Sequence, residues 1–161
     1  FNSSCYNKRN GCLYTMTPPL RPEEDRALLC ENIDHISTIG TDHCPFTEEM
    51  KRHKYTSETP MGIGGIKYSF LNMYTLFGDR VISKFTSNVA RAYNMYPRKG
   101  TLLPGADADI VIFDDHSSYG DPESLYNGRA VKGRITAVYL GGKEAVKDGK
   151  YMGSEGSYIR R

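Results

Sequence analysis

The most informative segment of the chain reads ISTIG over residues 36–40 and continues as TDHCPFT over residues 41–47. A short apolar, β-branched run followed by turn residues predicts a buried strand over residues 36–40. Asp42 would then lie where the strand passes into its loop. In a barrel of parallel strands, catalytic groups collect at that edge. The pattern makes Asp42 a candidate catalytic carboxylate, and the alternative is that it only caps the helix or turn that follows.

The composition is that of a globular protein without a strongly charged surface. The chain has 161 residues, of which 39% are hydrophobic and 25% charged, and its formal net charge is +2. This length allows one core, or one domain and part of another. The small net charge gives no argument for nucleic acid or a membrane surface, and no apolar run is long enough to span a bilayer. We therefore expect neither kind of partner, and we expect the two terminal arginines, 160 and 161, to form a solvated tail.

The cysteines and histidines lack the spacing of a metal site. The four cysteines are residues 5, 12, 30 and 44, and they contain no C-x-x-C pair. We expect reduced thiols in a cytoplasmic protein, with Cys44 packed near the strand end rather than acting as a nucleophile. The four histidines, at positions 35, 43, 53 and 116, share no face of one strand or helix. The chain taken alone is therefore not expected to assemble a metal site.

The first part of the chain has an α/β pattern. We predict a loop up to residue 11 and an extended segment over residues 12–16, which the two prolines that follow would stop. A helix is predicted to open at Pro22 and to reach residues 32–34, because acidic residues follow the proline and leucines line one face. Residues 48–60 are charged and weakly patterned, which is typical of a mobile excursion over a site.

The pattern changes after a second helical region. A glycine-rich turn leads into three predicted helices, the last over residues 89–95 with Ser87 or Asn88 as its cap. No helical period appears after residue 114, so the second part is predicted to be all β, with a junction near residues 98–100. The predicted strands and turns are 108–113, 135–140, the Gly141-Gly142 turn, 144–146 and the Asp148-Gly149 turn.

The glycine run GIGG at residues 62–65 could suggest a phosphate-binding loop. It lacks the G-K-[S/T] ending of a nucleotide loop and does not have G-x-G-x-x-G spacing. A tight junction, or a backbone that approaches a small ligand, is the interpretation that we prefer.

Five motifs stand in order along the chain and together carry a resemblance. They read TPPLR at 17–21, GTDHCPF at 40–46, YPRKGT at 96–101, GADADIVIFD at 105–114 and GRAVKGR at 128–134. In this order they resemble the C-terminal third of the dihydropyrimidinase and D-hydantoinase family of cyclic amidohydrolases. The resemblance covers most of the chain, from about residue 13 to residue 150.

The resemblance implies an architecture. Residues 1–98 would be the last part of a (β/α)8 barrel, with residues 36–41 as its eighth strand. Residues 99–151 would be the C-terminal part of a β-sandwich domain, and residues 152–161 a C-terminal tail. This agrees with the change from an α/β pattern to an all-β pattern.

The resemblance also implies a site. The family holds two divalent metal ions, usually zinc, with four histidines and a carbamylated lysine from earlier strands, which lie outside this chain. Asp42 matches the aspartate that ends strand eight, contacts one metal and accepts a proton from the attacking hydroxide. Such a carboxylate can act as base and then protonate the leaving nitrogen. Thr17 matches the serine that holds the cyclic amide through its backbone, and Met61, followed by Gly62, falls near the asparagine of a P-N-G motif.

The expected function is hydrolysis of the ring amide of hydantoins or dihydropyrimidines by a cytoplasmic homotetramer. A dihydroorotase or allantoinase is an alternative, because those relatives use a similar glycine turn. A non-catalytic scaffold homologue is a second alternative, although the retention of Asp42 favours the enzyme. The metal ligands of the earlier strands are absent and the chain starts with Phe1, so we expect a fragment that is inactive alone.

Overall fold

The computed structural model describes residues 1–119, 125–126 and 131–159. The predicted helix after Pro22 is present as α1, Glu23–Glu31, with three acidic residues in its first turn, where they interact favourably with the helix dipole. The extended segment predicted for residues 12–16 is wrong, because Gly11–Tyr14 forms a 3-10 turn. The N–H and the hydroxyl of Thr15 both donate to the Cys12 carbonyl, at 3.3 and 2.8 Å, and close this turn.

Residues 36–40 do not form the predicted strand. Ile36 is extended, with φ −87° and ψ 120°, but no described strand pairs with this segment, and a strand needs a neighbour to form a ladder. Helical residues hold the segment instead. Lys84 donates from Nζ to the Ile36 carbonyl at 2.6 Å, and its own carbonyl accepts from the N–H of Ile39 at 3.1 Å. The Asn88 side chain donates to the Ser37 carbonyl at 2.9 Å.

The remaining helices are short, and all except α2 follow the glycine turn. They are α2 Glu48–Lys51, α3 Ser69–Phe77, α4 Ile82–Phe85 and α5 Ser87–Ala92. The last helix begins and ends earlier than the predicted range of residues 89–95. It ends there because Asn94 takes a positive φ of 58°, and the Met95 N–H returns to the Ala90 carbonyl at 2.7 Å, as in a left-handed helix cap.

Residues 48–60, predicted as an excursion over the site, are mostly exposed and contact the rest of the chain through two buried residues. They contain α2 and a 3-10 turn, Thr56–Glu58. The side chains of Lys51 and Thr59 in this segment are buried.

The second part of the chain is a four-stranded antiparallel sheet in the order β1-β2-β3-β4. The strands are β1 Ile110–Tyr119, β2 Val131–Leu140, β3 Lys143–Lys147 and β4 Lys150–Tyr151. Both predicted turns are present, since Gly141, Gly142 and Gly149 have positive φ between β2, β3 and β4. β1 and β2 are longer than predicted. Residues 128–130 of the last motif, and the arginines 160 and 161, lie outside the described residues.

The core joins the helices to the sheet. Ile33, Tyr74 and Val81 are buried together, and the ring of Phe113 on β1 meets Phe70 edge to face at 5.3 Å. Gly133 on β2 faces α3 closely, because a Cβ there would lie 3.3 Å from the Leu71 side chain. Within the described part of the chain, no helix is long and apolar enough to cross a membrane.

Candidate active site

Three chain segments that carry the predicted site residues meet through backbone hydrogen bonds. The Cys44 N–H donates to the Ile63 carbonyl at 3.3 Å, and the Gly62 N–H donates to the Thr15 carbonyl at 3.1 Å. The loop after Asp42, the glycine turn and the segment before Thr17 are therefore neighbours. The structure brings together the segments that carry all four predicted residues. These segments are distant in the sequence: Thr15 contacts Pro60, which lies 45 positions later.

Asp42 has an unusual backbone and an exposed side chain. Its φ is +43°, a region that non-glycine residues enter at a cost of roughly 1–2 kcal/mol. The side chain is exposed and has no hydrogen-bond partner among the described residues. The helix that follows is capped by Thr47, whose hydroxyl accepts from the Met50 N–H at 3.2 Å. Asp42 is therefore not the cap of α2, the helix that follows it.

His43 holds the glycine turn. Its Nδ1 accepts from the N–H groups of Gly65 and Ile66, at 2.9 and 3.2 Å. In the neutral ring the proton consequently lies on Nε2. This contact ties the residue next to Asp42 to the turn that carries Met61 and Gly62.

The glycines of the turn allow a close approach to the loop after residue 40. A Cβ on Gly62 would lie 2.5 Å from the Cys44 carbonyl oxygen, and one on Gly65 would lie 3.2 Å from that of Thr41. The N–H groups of Gly62, Gly65 and Ile66 already donate within the chain. A phosphate-binding role, which needs free N–H groups, is therefore disfavoured, and the packing interpretation of the glycine run is supported.

Thr17 and Met61 line one groove. Its volume is about 540 Å³, and its other lining residues are Tyr6, Gly11, Cys12, Thr15, Met16, Pro19 and Thr56. Thr17 is exposed, while 40% of the Met61 surface is accessible. Asp42 is not among the lining residues. Two of the three residues predicted to bind substrate, Thr17 and Met61, therefore share a concave surface, while Gly62 and the Asp42 carboxylate are not part of its lining.

Lys51 is a residue that the sequence analysis missed. Only 3% of its surface is accessible, and Nζ donates to the carbonyls of Leu13 and Thr15, at 3.1 and 2.7 Å. Burial lowers the pKa of this ammonium below its usual value. No sequence signal pointed to it, because lysine is among the residues least often buried.

The described residues do not fit a two-metal site by themselves. No group of three or more His, Cys, Asp and Glu side chains is gathered in a geometry that could hold a metal ion anywhere in the described ranges. His43 has already committed Nδ1 to the glycine turn. Asp42 is the exposed carboxylate that this part of the chain could offer as one ligand.

Comparisons with known proteins show which family the chain is similar to. Residues 13–145 match the sequence model described as the amidohydrolase family. The chain is 32% identical over 167 residues to a D-hydantoinase of Streptomyces coelicolor, across 91% of this chain and 36% of that protein. It is 35% identical over 151 residues to a dihydroorotase of Pelotomaculum thermopropionicum, across 83% of this chain and 35% of that protein. It is 27% identical over 170 residues to human dihydropyrimidinase-related protein 5, across 92% and 30%.

A solved structure shares the fold. The D-hydantoinase from Bacillus sp. AR9 matches with a TM-score of 0.87 and 26% sequence identity, over 94% of this chain and 38% of that chain. The chain thus spans about a third of the length of the curated relatives that it matches. Because the family match runs through the helices, the glycine turn and three strands of the sheet, the chain belongs to the amidohydrolase family.

Proposed function

We propose that the chain supplies the catalytic carboxylate and part of the substrate pocket of a longer cyclic amidohydrolase, which opens the ring amide of hydantoins or dihydropyrimidines. The observation that carries the proposal is Asp42, an exposed carboxylate held at a positive φ of 43° beside the glycine turn. Such outliers persist where the surrounding structure imposes them, and they cluster at active sites. The similarity to D-hydantoinases supports the choice of substrate class.

We further propose that residues 1–98 are the last part of a (β/α)8 barrel and that residues 99–151 belong to a β-sandwich, with residues 152–161 as a tail. The extended segment before Asp42 would be the eighth barrel strand, paired with strands outside this chain. Its tethering by Lys84 and Asn88 supports this, because these contacts hold an unpaired segment extended beside the helices.

The chemistry assigned to Asp42 is proton transfer. Its carboxylate accepts a proton from the attacking water and delivers it to the ring nitrogen as the C–N bond breaks. Two divalent metal ions, with zinc as our expectation, would polarise the ring carbonyl. Because the described residues gather no group of three ligand side chains, we propose that the remaining ligands lie outside this chain.

The substrate end of the pocket is assigned to Thr17, Met61 and Gly62. The Gly62 N–H is committed to Thr15, so a cyclic amide would meet its carbonyl rather than its N–H. Met61 would place an apolar wall next to the Thr17 backbone. Preorganised backbone partners suit a rigid planar amide, since little ordering is needed when it binds.

Two further assignments concern the location and the oligomeric state of the full-length protein. All four cysteines are free thiols, as proteins of a reducing compartment have them, and we propose a cytoplasmic location. The homotetramer is a prediction that size measurement of the full-length protein can test.

The test is a substrate panel. The full-length protein that carries this chain, loaded with zinc, is assayed for opening of hydantoin, dihydrouracil, dihydroorotate and allantoin. We expect the highest kcat/KM with hydantoin or dihydrouracil. A preference for dihydroorotate or allantoin would instead identify the protein as a dihydroorotase or an allantoinase. The absence of turnover with all four substrates in a folded, metal-loaded protein would favour a non-catalytic scaffold and contradict the proposal.

A further inference from the structure

We infer that Lys51 is a positioning residue, whose buried ammonium fixes the backbone that presents Thr17 and Gly62 to the substrate. The inference rests on the proposed function, because it assigns a role within that pocket.

The geometry around Lys51 is that of an internal anchor. With 3% of its surface accessible, the side chain gives up hydration and receives two backbone carbonyls in exchange. Burying a charged group without partners is strongly unfavourable, so the carbonyls of Leu13 and Thr15 must stay in place around it. The ammonium therefore holds the segment that leads to Thr17 and is not an exposed group on the surface of α2.

Thr15 connects this anchor to the glycine turn. Its carbonyl accepts from Lys51 Nζ at 2.7 Å and from the Gly62 N–H at 3.1 Å, which uses both lone pairs of the oxygen. Its hydroxyl lies 3.3 Å from the Pro60 carbonyl. One residue thus links Lys51 to both segments that line the groove of Thr17 and Met61.

The anchor acts on the binding end of the site more directly than on the carboxylate, which it reaches only through the glycine turn and His43. Thr17 follows Thr15 by only two positions, so a shift of the Thr15 backbone displaces Thr17 as well. Asp42 belongs to a different segment, which Lys84 holds through Ile36. Loss of the Lys51 ammonium should therefore weaken substrate binding more than it slows proton transfer.

The test uses Lys51→Met in the full-length, metal-loaded protein, since methionine keeps much of the length and removes the charge and its donors. We expect KM for hydantoin to rise at least about tenfold while kcat changes by less than about threefold. This is the pattern expected when the bound substrate and the transition state lose the same binding energy. Hydrogen exchange of the Gly62 amide should also become faster. The control is Lys54→Met, which removes an exposed lysine three positions later. This variant should leave KM and the Gly62 exchange rate unchanged.

Two outcomes would overturn the inference: an unchanged KM and Gly62 exchange rate in folded Lys51→Met, or a fall in kcat with KM constant. If Lys51→Met does not fold, Lys51→Gln, which retains an N–H donor, takes its place and should show a smaller rise in KM. The same two results in that variant would overturn the inference. If the unmodified protein opens no ring amide, the proposed function fails, whereas the Gly62 exchange rate still tests the link from Lys51 to the turn.

Discussion

At the residue scale, the conformation of Asp42 makes a prediction that does not depend on catalysis. At a φ of +43° a glycine is unstrained and an alanine is not. We expect Asp42→Gly to be more stable than Asp42→Ala by about 1 kcal/mol in free energy of unfolding. Denaturant titration of the two full-length variants measures the difference. At an ordinary backbone position the glycine variant would be less stable than the alanine variant. If Asp42→Gly proves less stable than Asp42→Ala, residue 42 does not have the positive φ described here.

Met61 gives a second prediction at this scale. Its side chain lines the groove with Thr17, where a more polar residue would suit an unsubstituted ring. We expect Met61→Asn to raise kcat/KM for dihydrouracil relative to an aryl-substituted hydantoin, by up to about tenfold, since one apolar contact discriminates on this order. Steady-state kinetics on both substrates provides the ratio. An unchanged ratio would mean that Met61 only packs the loop.

Single residues also show what the sequence could and could not predict. The position of Asp42 after an apolar run makes it a candidate, the family resemblance predicts Thr17, Met61 and Gly62, and the structure brings together the segments that carry all four. Lys51 was not, because its burial depends on carbonyls that lie 36 and 38 positions away. A contact of that range leaves no local pattern.

At the element scale, local signals and missing partners explain the successes and the errors. Helix α1 and the Gly141-Gly142 hairpin were predicted because proline, acidic residues and glycines act within a few positions. Residues 36–40 have the composition of a strand, yet a strand exists only with a neighbour, and none of the described strands pairs with them. The strand predicted for residues 36–40 is therefore wrong for the described chain, because composition alone does not show whether a partner strand is present.

The junction between the helices and the sheet makes a pH prediction. Lys99 pairs with Asp107 at 2.9 Å and with Asp109. The hydrogen bond from Lys99 lowers the pKa of Asp107 below its ordinary value of 3.8. Burial alone would raise the pKa of Asp109, but Lys99 and the Gly141 N–H outweigh it and lower that pKa as well.

A carboxylate whose pKa is lowered by folding stabilises the protein at pH values above its ordinary pKa. This stabilisation is lost as the pH falls through the lowered pKa of the folded state. We therefore expect the full-length protein to lose stability on acidification below 3.8, the ordinary carboxyl value. Asp107→Asn should be less stable at neutral pH and should lose less on acidification. Denaturant titration across this range measures both effects, and parallel curves for the variant and the unmodified protein would contradict the assignment.

At the scale of the whole molecule, the chain leaves apolar surface uncovered. Val111 and Ile112 on β1 are 52% and 48% accessible, and one edge of β1 has no neighbour among the described strands. Such edges and patches favour association. We expect the isolated chain to be poorly stable, to open no ring amide and to hold less than two metal ions per molecule. Elemental analysis checks the last point, and a stoichiometric load of two would mean that the site has been misassigned.

Proton transfer by Asp42 is the step on which the proposed function depends. The most direct measurement is kcat for hydantoin in full-length, zinc-loaded Asp42→Asn, which retains the shape and tolerance of a positive φ but cannot act as base. We predict that kcat falls by at least about a hundredfold, the lower limit for a positioned acid–base group, while the fold remains intact. A folded, metal-loaded variant with near-normal kcat would contradict the claim.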